Sequence, residues 1–198
     1  MTKIVGITGG IGSGKTTVSK HLKKLGFLVH ESDAVVSEIY TKPKKNFLSF
    51  IKEKISQNAI KHNKINKEEI ANVIFNNKVI KKLLEKHIHK KVQLSREAFT
   101  KKNIKKKKEI IFADIPLLFE KKLEKRFDFV ICIISSKNNR VKRVLKNKKF
   151  TKENLNKIFK TQTTDKERKK RSQIIIYNNK TKKDFIFSVE KVLTNLIK

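Results

Sequence analysis

The chain has 198 residues, of which 37% are hydrophobic, and this is enough for one core domain with a small insertion. It has no apolar run near the roughly 20 residues that a membrane-spanning helix needs. Met1 to Lys3 lead into a strand-like run without a signal-peptide pattern, so we expect a cytoplasmic protein with no membrane partner. The single cysteine, Cys132, lies in an apolar run and is expected to be a buried structural thiol.

The formal net charge is +32, a value that by itself would suggest a nucleic-acid-binding protein. Almost all of the positive charge comes from lysine, and only six arginines occur. Specific recognition of phosphates and bases favours arginine, because its guanidinium group binds them with two parallel hydrogen bonds. Lysine, asparagine, isoleucine and phenylalanine, all encoded by A/T-rich codons, are abundant, so codon composition accounts for the charge. We expect no specific nucleic-acid partner.

The first predicted elements surround a phosphate-binding motif. A strand-like run, Lys3–Thr8, is followed by the sequence GGIGSGKT, a full match to the Walker A pattern GxxxxGKS/T, and then by a helix-like run up to Leu25. In this motif backbone N–H groups converge on phosphate oxygens, and the helix N-terminus adds its positive dipole end. Lys15 is positioned for the β- and γ-phosphates and Thr16 for Mg²⁺. The sequence predicts that the chain binds a nucleoside triphosphate.

The distribution of glycine supports this interpretation. All six glycines lie within the first 26 residues, and four of them are in the GGIGSGKT motif. Glycine is required where the backbone adopts positive φ or approaches a ligand closely. The last one, Gly26, follows the first predicted helix, where a left-handed C-cap is expected.

The later elements alternate between strand and helix, which predicts a parallel α/β sheet with a helix after each strand. The predicted strands are Lys3–Thr8, Phe27–His30, Glu109–Ala113, Phe127–Ile134 and Gln173–Tyr177. Residues 44–106 show helical patterns only, with a capping box at Asn66 and Glu69 and one long helix from Val79 to Phe99. The last helix begins near Lys182.

Two aspartates are predicted at strand ends, where ligands bind in open α/β sheets. Asp33 follows the second strand, and its position fits either a base that accepts a proton from an acceptor hydroxyl or the N-cap of the next helix. Asp114 ends the third strand, and it fits either a carboxylate that assists Mg²⁺ through water or a turn former before Pro116. Pro116 fits the first turn of a following helix.

Taken together, these motifs resemble the dephospho-CoA kinase family. GITGGIGSGKTT is followed by ESDAVV around Asp33, by DIPLLFE, by Lys142-Arg143 ahead of a Thr-initiated helix and Gln162, and by IIIYNN, in the order and spacing of that family. The resemblance implies a P-loop NTPase fold, a three-layer sandwich with a parallel five-stranded sheet. It implies a core at about 1–43 and 107–198, a helical acceptor-binding insertion at about 44–106 and a short lid at about 144–153. A monomer is expected, with an oligomer as the alternative.

The resemblance also implies an activity and a set of site residues. The activity is ATP- and Mg²⁺-dependent phosphorylation of the ribose 3′-hydroxyl of dephospho-CoA. Asp33 would be the base, with Lys15 and Arg143 as the other catalytic residues and Thr16 and Asp114 at the metal. Asn178 and Asn179 would lie near the adenine. The residues expected to bind ATP are Gly9, Gly10, Ile11, Gly12, Ser13, Gly14, Lys15, Thr16, Thr17, Asn178 and Asn179.

One departure from the family pattern predicts altered kinetics. Asn147 stands in the place of a second lid arginine, and its neighbouring lysines supply charge but not bidentate geometry. We predict slower turnover than is usual in the family, and a rate for Asn147→Arg no higher than that of the unchanged chain would contradict this.

Two rival functions share some of these features: another small-molecule or nucleoside monophosphate kinase, and a lysine-rich nucleic-acid-binding ATPase.

Overall fold

The computed structural model describes residues 1–146 and 150–197. The chain forms two compact units, one made of Met1–Glu31 and the chain from Thr100 onward, and the other of Ser32–Phe99. The strands in the described residues are β1 (Lys3–Gly9), β2 (Val29–Glu31), β3 (Ile60–Lys61), β4 (Lys64–Ile65), β5 (Ile110–Asp114), β6 (Phe129–Ile134) and β7 (Ile174–Tyr177). The α-helices are α1 (Lys15–Lys24), α2 (Ser32–Thr41), α3 (Lys45–Lys54), α4 (Lys67–Asn76), α5 (Lys78–Lys105), α6 (Lys137–Leu145), α7 (Lys152–Thr161), α8 (Asp165–Lys170) and α9 (Lys182–Ile197).

The first unit contains the predicted parallel sheet, in the order β2-β5-β1-β6-β7. All five predicted strands are confirmed, with no end shifted by more than two residues, because their continuous apolar runs suit strands that are covered on both faces. The central strand β1 carries Val5 and Ile7, which are fully buried. In the register of the sheet Asp114 pairs with Ile7 on one side and with Glu31 on the other.

Helices α1 and α9 cover the same apolar core. Val18 and Leu22 of α1 pack with Phe185 and Leu193 of α9 against the sheet. Gly26 has φ +86°, and the N–H groups of Gly26 and Phe27 bond to the carbonyls of Lys23 and Leu22. This hydrogen-bond pattern is the Schellman motif, and it confirms the predicted glycine C-cap.

The expectation of a helix after every strand is wrong after β5. Residues 116–122 form turns, and only a 3₁₀ helix, Glu124–Arg126, precedes β6. Pro116 therefore opens a turn rather than a helix. Leu118 and Phe119 are buried in the core, and Lys122 adopts a φ of +51°, which ends the turn.

The second unit is mainly helical around its own core, which includes Phe47, Ile51, Ile70 and Leu84. The long helix predicted from Val79 to Phe99 is confirmed within α5. The compact unit begins at Ser32 and ends at Phe99, whereas the insertion was expected at about 44–106, because α2 belongs to this unit as well.

An antiparallel hairpin, β3 with β4, contradicts the expectation that this region is helical only. Its turn residues, His62 and Asn63, both have positive φ, as a type I′ turn requires. The predicted capping box at Asn66 is half correct. The Asn66 side chain accepts from the N–H groups of Glu68 and Glu69, but the Glu69 carboxylate accepts from the Ser56 hydroxyl instead of reaching back to Asn66.

Candidate active site

In the loop between β1 and α1, several residues have backbone angles that favour glycine. Gly9, Gly12 and Gly14 have φ values of +150°, +74° and +111°. A Cβ atom at Gly9 would lie 2.4 Å from the carbonyl oxygen of Ile133, so steric crowding also excludes a side chain there. Gly14 caps α1 without any side-chain hydrogen bond, which leaves the helix N-terminus to other acceptors. A loop of this kind is suited to an anionic ligand.

The polar side chains of this loop occupy distinct positions. The Lys15 ammonium donates to the Gly9 carbonyl at 2.9 Å, so its side chain folds back over the loop. Thr16 is exposed on the first turn of α1, Thr17 is partly buried and the Ser13 side chain is buried. The predicted nucleotide residues Gly9 to Thr17 thus form one continuous loop and helix start.

Asp114 lies beside this helix, where the sequence placed a metal-assisting carboxylate. It is 9% exposed, and its Oδ2 accepts a hydrogen bond from the Ser19 hydroxyl of α1 at 2.7 Å. A threonine hydroxyl and a carboxylate are hard oxygen ligands of the type that Mg²⁺ prefers, so Thr16 and Asp114 suit that ion. Among residues 1–146 and 150–197, no group of three or more His, Cys, Asp or Glu side chains is placed to hold a metal.

Arg143 and Asn178 meet at the other side of the loop. The Arg143 Nη2 donates to both oxygens of Asn178, at 3.0 Å to the backbone and 3.1 Å to the side chain, and its Nη1 donates to Ser135 at 3.0 Å. The buried Asn178 amide donates to the Ser13 carbonyl at 2.8 Å. The Asn178 side chain therefore holds the phosphate loop through the Ser13 carbonyl. Its predicted contact with adenine stays a prediction.

Asn179 is exposed and binds the start of α6. Its Oδ1 accepts from the backbone N–H of Ser136 at 2.8 Å and from the Ser135 hydroxyl at 3.3 Å. This bond connects the end of β7 with the end of β6, next to the phosphate loop. The adenine contact predicted for Asn179 also remains untested.

Four further residues around the loop carry no predicted role: Arg140, Gln162, Asp165 and Arg168. The Asp165 carboxylate lies between two guanidinium groups, with Oδ1 2.7 Å from Arg168 Nη1 and Oδ2 3.2 Å from Arg140 Nη1. Both arginines are buried, at 6% and 3% exposure. The sequence could have pointed to the two arginines only through their residue type, because arginine is rare in a chain that uses lysine for nearly all its positive charge.

Asp33 belongs to the second unit, on the first turn of α2. The helix already begins at Ser32, so Asp33 is not its N-cap, and its carboxylate is exposed. Asp33 borders a cleft of about 450 Å³ within this unit. The cleft is formed by α2 and α4 and is lined by Asp33, Val36, Ser37, Tyr40, Lys67, Ile70, Ala71 and Ile74.

The ends of this cleft differ in chemistry. Asp33 and Tyr40 are seven residues apart on α2, which corresponds to about 10 Å along a helix. The Lys67 ammonium lies 5.7 Å from the centre of the Tyr40 ring, and burial raises the pKa of the Tyr40 hydroxyl. The cleft therefore has a carboxylate at one position and a tyrosine with a lysine about two helical turns away, with apolar side chains between them.

Cys132 is buried in β6, as the sequence predicts, and has no accessible surface. Burial raises the pKa of the Cys132 thiol to about 11, which keeps it protonated at neutral pH.

No helix in the described parts of the chain is long and apolar enough to cross a membrane. Asn147 and part of the lid expected at about 144–153 lie outside the described residues, so the prediction of slower turnover is unchanged.

Residues 3–184, most of the chain, match the family described as dephospho-CoA kinase. The chain belongs to this family. A dephospho-CoA kinase of Fusobacterium nucleatum is 34% identical over 191 residues, which cover 95% of either chain. The solved dephospho-CoA kinase of Campylobacter jejuni superposes with a TM-score of 0.75 at 26% identity, covering 99% of this chain and 98% of that one.

A likeness at lower identity extends to other kinases and concerns the fold alone. The shikimate kinase of Acinetobacter baumannii, solved in complex with shikimate, has a TM-score of 0.54 at 15% identity and covers 100% of this chain and 97% of that one. The parallel five-stranded sheet with its helices is thus shared with P-loop kinases outside the family, and the family assignment depends on the sequence motifs.

Proposed function

We propose that this chain transfers the γ-phosphate of ATP to the ribose 3′-hydroxyl of dephospho-CoA, giving coenzyme A and ADP. The observation that carries the proposal is the family match over residues 3–184 together with a phosphate loop whose glycines hold positive φ next to Lys15 and Asp114. The protein is proposed to act as a cytoplasmic monomer, with no specific nucleic-acid partner.

The loop and its basic neighbours bind and stabilise the phosphates. Backbone N–H groups at the start of α1 hold phosphate oxygens, and Lys15 contributes charge at the β- and γ-phosphates. Arg143, whose Nη1 lies 3.4 Å from the Gly12 carbonyl, neutralises charge on the phosphoryl group as it transfers. Thr16 would hold Mg²⁺, with Asp114 assisting through water, and the ion would supply positive charge against the charge that develops on the phosphates.

Asp33 is the proposed base. The 3′-hydroxyl oxygen of the acceptor attacks the γ-phosphorus, the bond from that phosphorus to the oxygen of ADP breaks, and the hydroxyl proton passes to the Asp33 carboxylate. An exposed carboxylate on the first turn of a helix suits this role, because an acceptor hydroxyl can reach it within hydrogen-bond distance.

The cleft between α2 and α4 is the proposed acceptor site. With the 3′-hydroxyl at Asp33, the remainder of the acceptor extends along the apolar side chains toward Tyr40 and Lys67. The Lys67 ammonium supplies a positive charge for the diphosphate of the acceptor. This assignment explains why an apolar cleft carries one lysine and one aspartate.

The decisive experiment offers Mg-ATP with dephospho-CoA, AMP, CMP or shikimate and follows ADP release. The product is checked by mass for a single added phosphate. Asp33→Asn is expected to lower kcat on dephospho-CoA by about 10²- to 10⁴-fold with ATP affinity unchanged. Glu38→Gln, which removes another exposed carboxylate from the same helix, serves as the matched control and should keep full activity.

Each rival function predicts a different result. Turnover on AMP, CMP or shikimate in place of dephospho-CoA would assign the chain to another acceptor. Full activity of Asp33→Asn would remove that residue from the role of base. Sequence-selective binding of RNA or DNA that persists at high salt, without turnover, would support the nucleic-acid-binding ATPase.

A further inference from the structure

The peptide groups of Ile11, in the middle of the phosphate loop, are held from two sides. The Ile11 N–H donates to Gln162 Oε1 at 3.1 Å, and the Ile11 carbonyl accepts from Arg140 Nε at 2.9 Å. These partners are 151 and 129 positions away in the sequence. The conformation at this point of the loop therefore depends on distant side chains as well as on local glycines.

Gln162 is itself fixed in place. It is the C-cap of α7, and its backbone N–H bonds to the Ile158 carbonyl at 3.1 Å. Its Oε1 also lies 3.5 Å from Nη2 of the buried Arg168, so the amide oxygen rather than the amide nitrogen is turned toward Ile11. The side chain is thus presented to the loop as an acceptor in a defined orientation.

Hydrogen bonds hold the Arg140 guanidinium group at Nε and at Nη1. Nη1 lies 3.3 and 3.2 Å from the two carboxylate oxygens of Asp165, and Cζ lies 4.7 Å from the centre of the Phe159 ring. Nη2 packs against the loop, since a Cβ atom at Gly10 would come within 2.3 Å of it. Burial lowers the pKa of Arg140, and the Asp165 carboxylate opposes that shift.

This arrangement distinguishes Arg140 from a phosphate ligand. Its charge faces a carboxylate, Nε is used by the loop backbone, and the group is 6% exposed. Arg168 is balanced in the same way, by Asp165 and by Glu120, whose Oε1 lies 3.7 Å from Nη2. Arg140 supports the loop directly through the Ile11 carbonyl, and Arg168 holds Asp165 and Gln162, which are the partners of Arg140 and of the Ile11 N–H.

We propose that Gln162 and Arg140 are positioning residues that fix the two peptide groups on either side of the Ile11 Cα and so hold the phosphate loop in the conformation that binds ATP. The identity of the nucleotide rests on the proposed function. Phosphate loops bind through several converging N–H groups, so a rotation of one peptide plane misaligns its neighbours. Loss of either bond weakens nucleotide binding without removing any atom that touches the nucleotide.

The test measures the Kd for Mg-ATP by calorimetry on the full chain without acceptor. Gln162→Met, which keeps the length of the side chain but has no acceptor oxygen, is expected to raise the Kd roughly 5- to 10-fold. Gln162→Glu keeps the acceptor and should stay within about 3-fold of the unchanged chain. Arg140→Lys keeps the charge but loses the fork, and should raise the Kd about 10-fold or more.

The matched control is Gln173→Met. Gln173 Oε1 accepts from the backbone N–H of Val130 at 2.9 Å, just as Gln162 Oε1 accepts from the backbone N–H of Ile11, but at the sheet rather than at the loop. Its loss should lower the urea midpoint and leave the Kd for Mg-ATP unchanged. Because Gln162 and Arg140 act on one residue, the double variant Gln162→Met with Arg140→Lys should raise the Kd by less than the product of the single effects.

Two results would overturn the proposal: an unchanged Kd in Gln162→Met, or equal weakening in Gln162→Met and Gln173→Met. The readout is binding alone, so it does not depend on the acceptor. A chain that binds Mg-ATP but does not phosphorylate dephospho-CoA would contradict the proposed function and still allow this test. A fall in kcat/KM for ATP with an unchanged KM for dephospho-CoA would support the same role.

Discussion

The hydroxyl of Ser19, in the second turn of α1, donates to Oδ2 of Asp114 at the end of β5, at 2.7 Å. Both side chains are buried, at 0% and 9% exposure. The bond fixes the carboxylate beside the helix that carries Lys15 and Thr16. It therefore links the position of the proposed metal-assisting carboxylate to the helix that follows the phosphate loop.

Replacing Asp114 by asparagine tests the metal assignment. The change preserves shape and an acceptor for Ser19 but removes the negative charge, so we expect kcat to fall about 10- to 100-fold and the Mg²⁺ requirement to rise. The measurement is initial rate against free Mg²⁺ at saturating ATP. Ser19→Ala is the comparison: it keeps the carboxylate but removes its hydrogen bond, should cost about 1 kcal/mol of unfolding free energy, and should raise the Mg²⁺ requirement less than Asp114→Asn does. An unchanged Mg²⁺ requirement in Asp114→Asn would exclude this role.

Replacing Asn178 is expected to weaken the binding of ATP without changing the preference for adenine over guanine. Asn178→Ala removes the donor to the Ser13 carbonyl and a partner of Arg143, so the Kd for ATP should rise about 10-fold. The ratio of the Kd values for ATP and GTP should stay constant, because the amide faces the loop. Asn179→Ala, at an exposed neighbour, should have a smaller effect. A change of the ATP to GTP ratio in Asn178→Ala would show that the side chain reads the base.

The sheet and the phosphate loop were readable from sequence because their signals are local. Continuous apolar runs predict buried strands, and the glycines of the loop mark positive φ within a few residues. The β3–β4 hairpin was missed because its strands have two residues each and its turn, His62–Asn63, contains no glycine. The hydrogen bonds that Ile11 forms with Arg140 and Gln162 were missed because they join positions more than one hundred residues apart, which no periodicity reveals.

His87 in the second unit should titrate below the ordinary range of histidine. Burial lowers the pKa of His87, and the charges of Lys91 and Lys90 lower it further. Its ring stacks on Phe50, with the ring centres 3.9 Å apart. A native pKa below the unfolded value means that the unfolded chain binds the proton more readily. The contribution of His87 to stability is therefore present above its unfolded pKa and is lost as the pH falls through its folded pKa.

An NMR titration of the histidine ring signals measures this pKa directly. Lys91→Gln should raise the pKa of His87, and added salt should raise it partly, because salt screens the two lysines but not the effect of burial. Lys82→Gln, at an exposed lysine of the same helix, should have little effect. A pKa of His87 at or above about 6.5 would contradict the prediction.

The buried thiol of Cys132 is expected to make the protein less stable at alkaline pH. Its pKa is raised on folding, whereas that of His87 is lowered. Burial raises the pKa of its thiol from 9.0 to about 11, so between these values the unfolded chain releases a proton that the folded chain retains. Stability is therefore fully present below pH 9 and falls as the pH rises toward 11, by up to about 1.4 kcal/mol for each pH unit. Urea unfolding of the unchanged chain and of Cys132→Ala, measured at intervals across this window, isolates the thiol from tyrosine and lysine titration. The free energy of the unchanged chain should decline more steeply than that of Cys132→Ala, because only the former has a buried thiol whose ionisation favours unfolding. Parallel declines would show that the thiol ionises equally well in the folded protein, which would contradict its burial in β6.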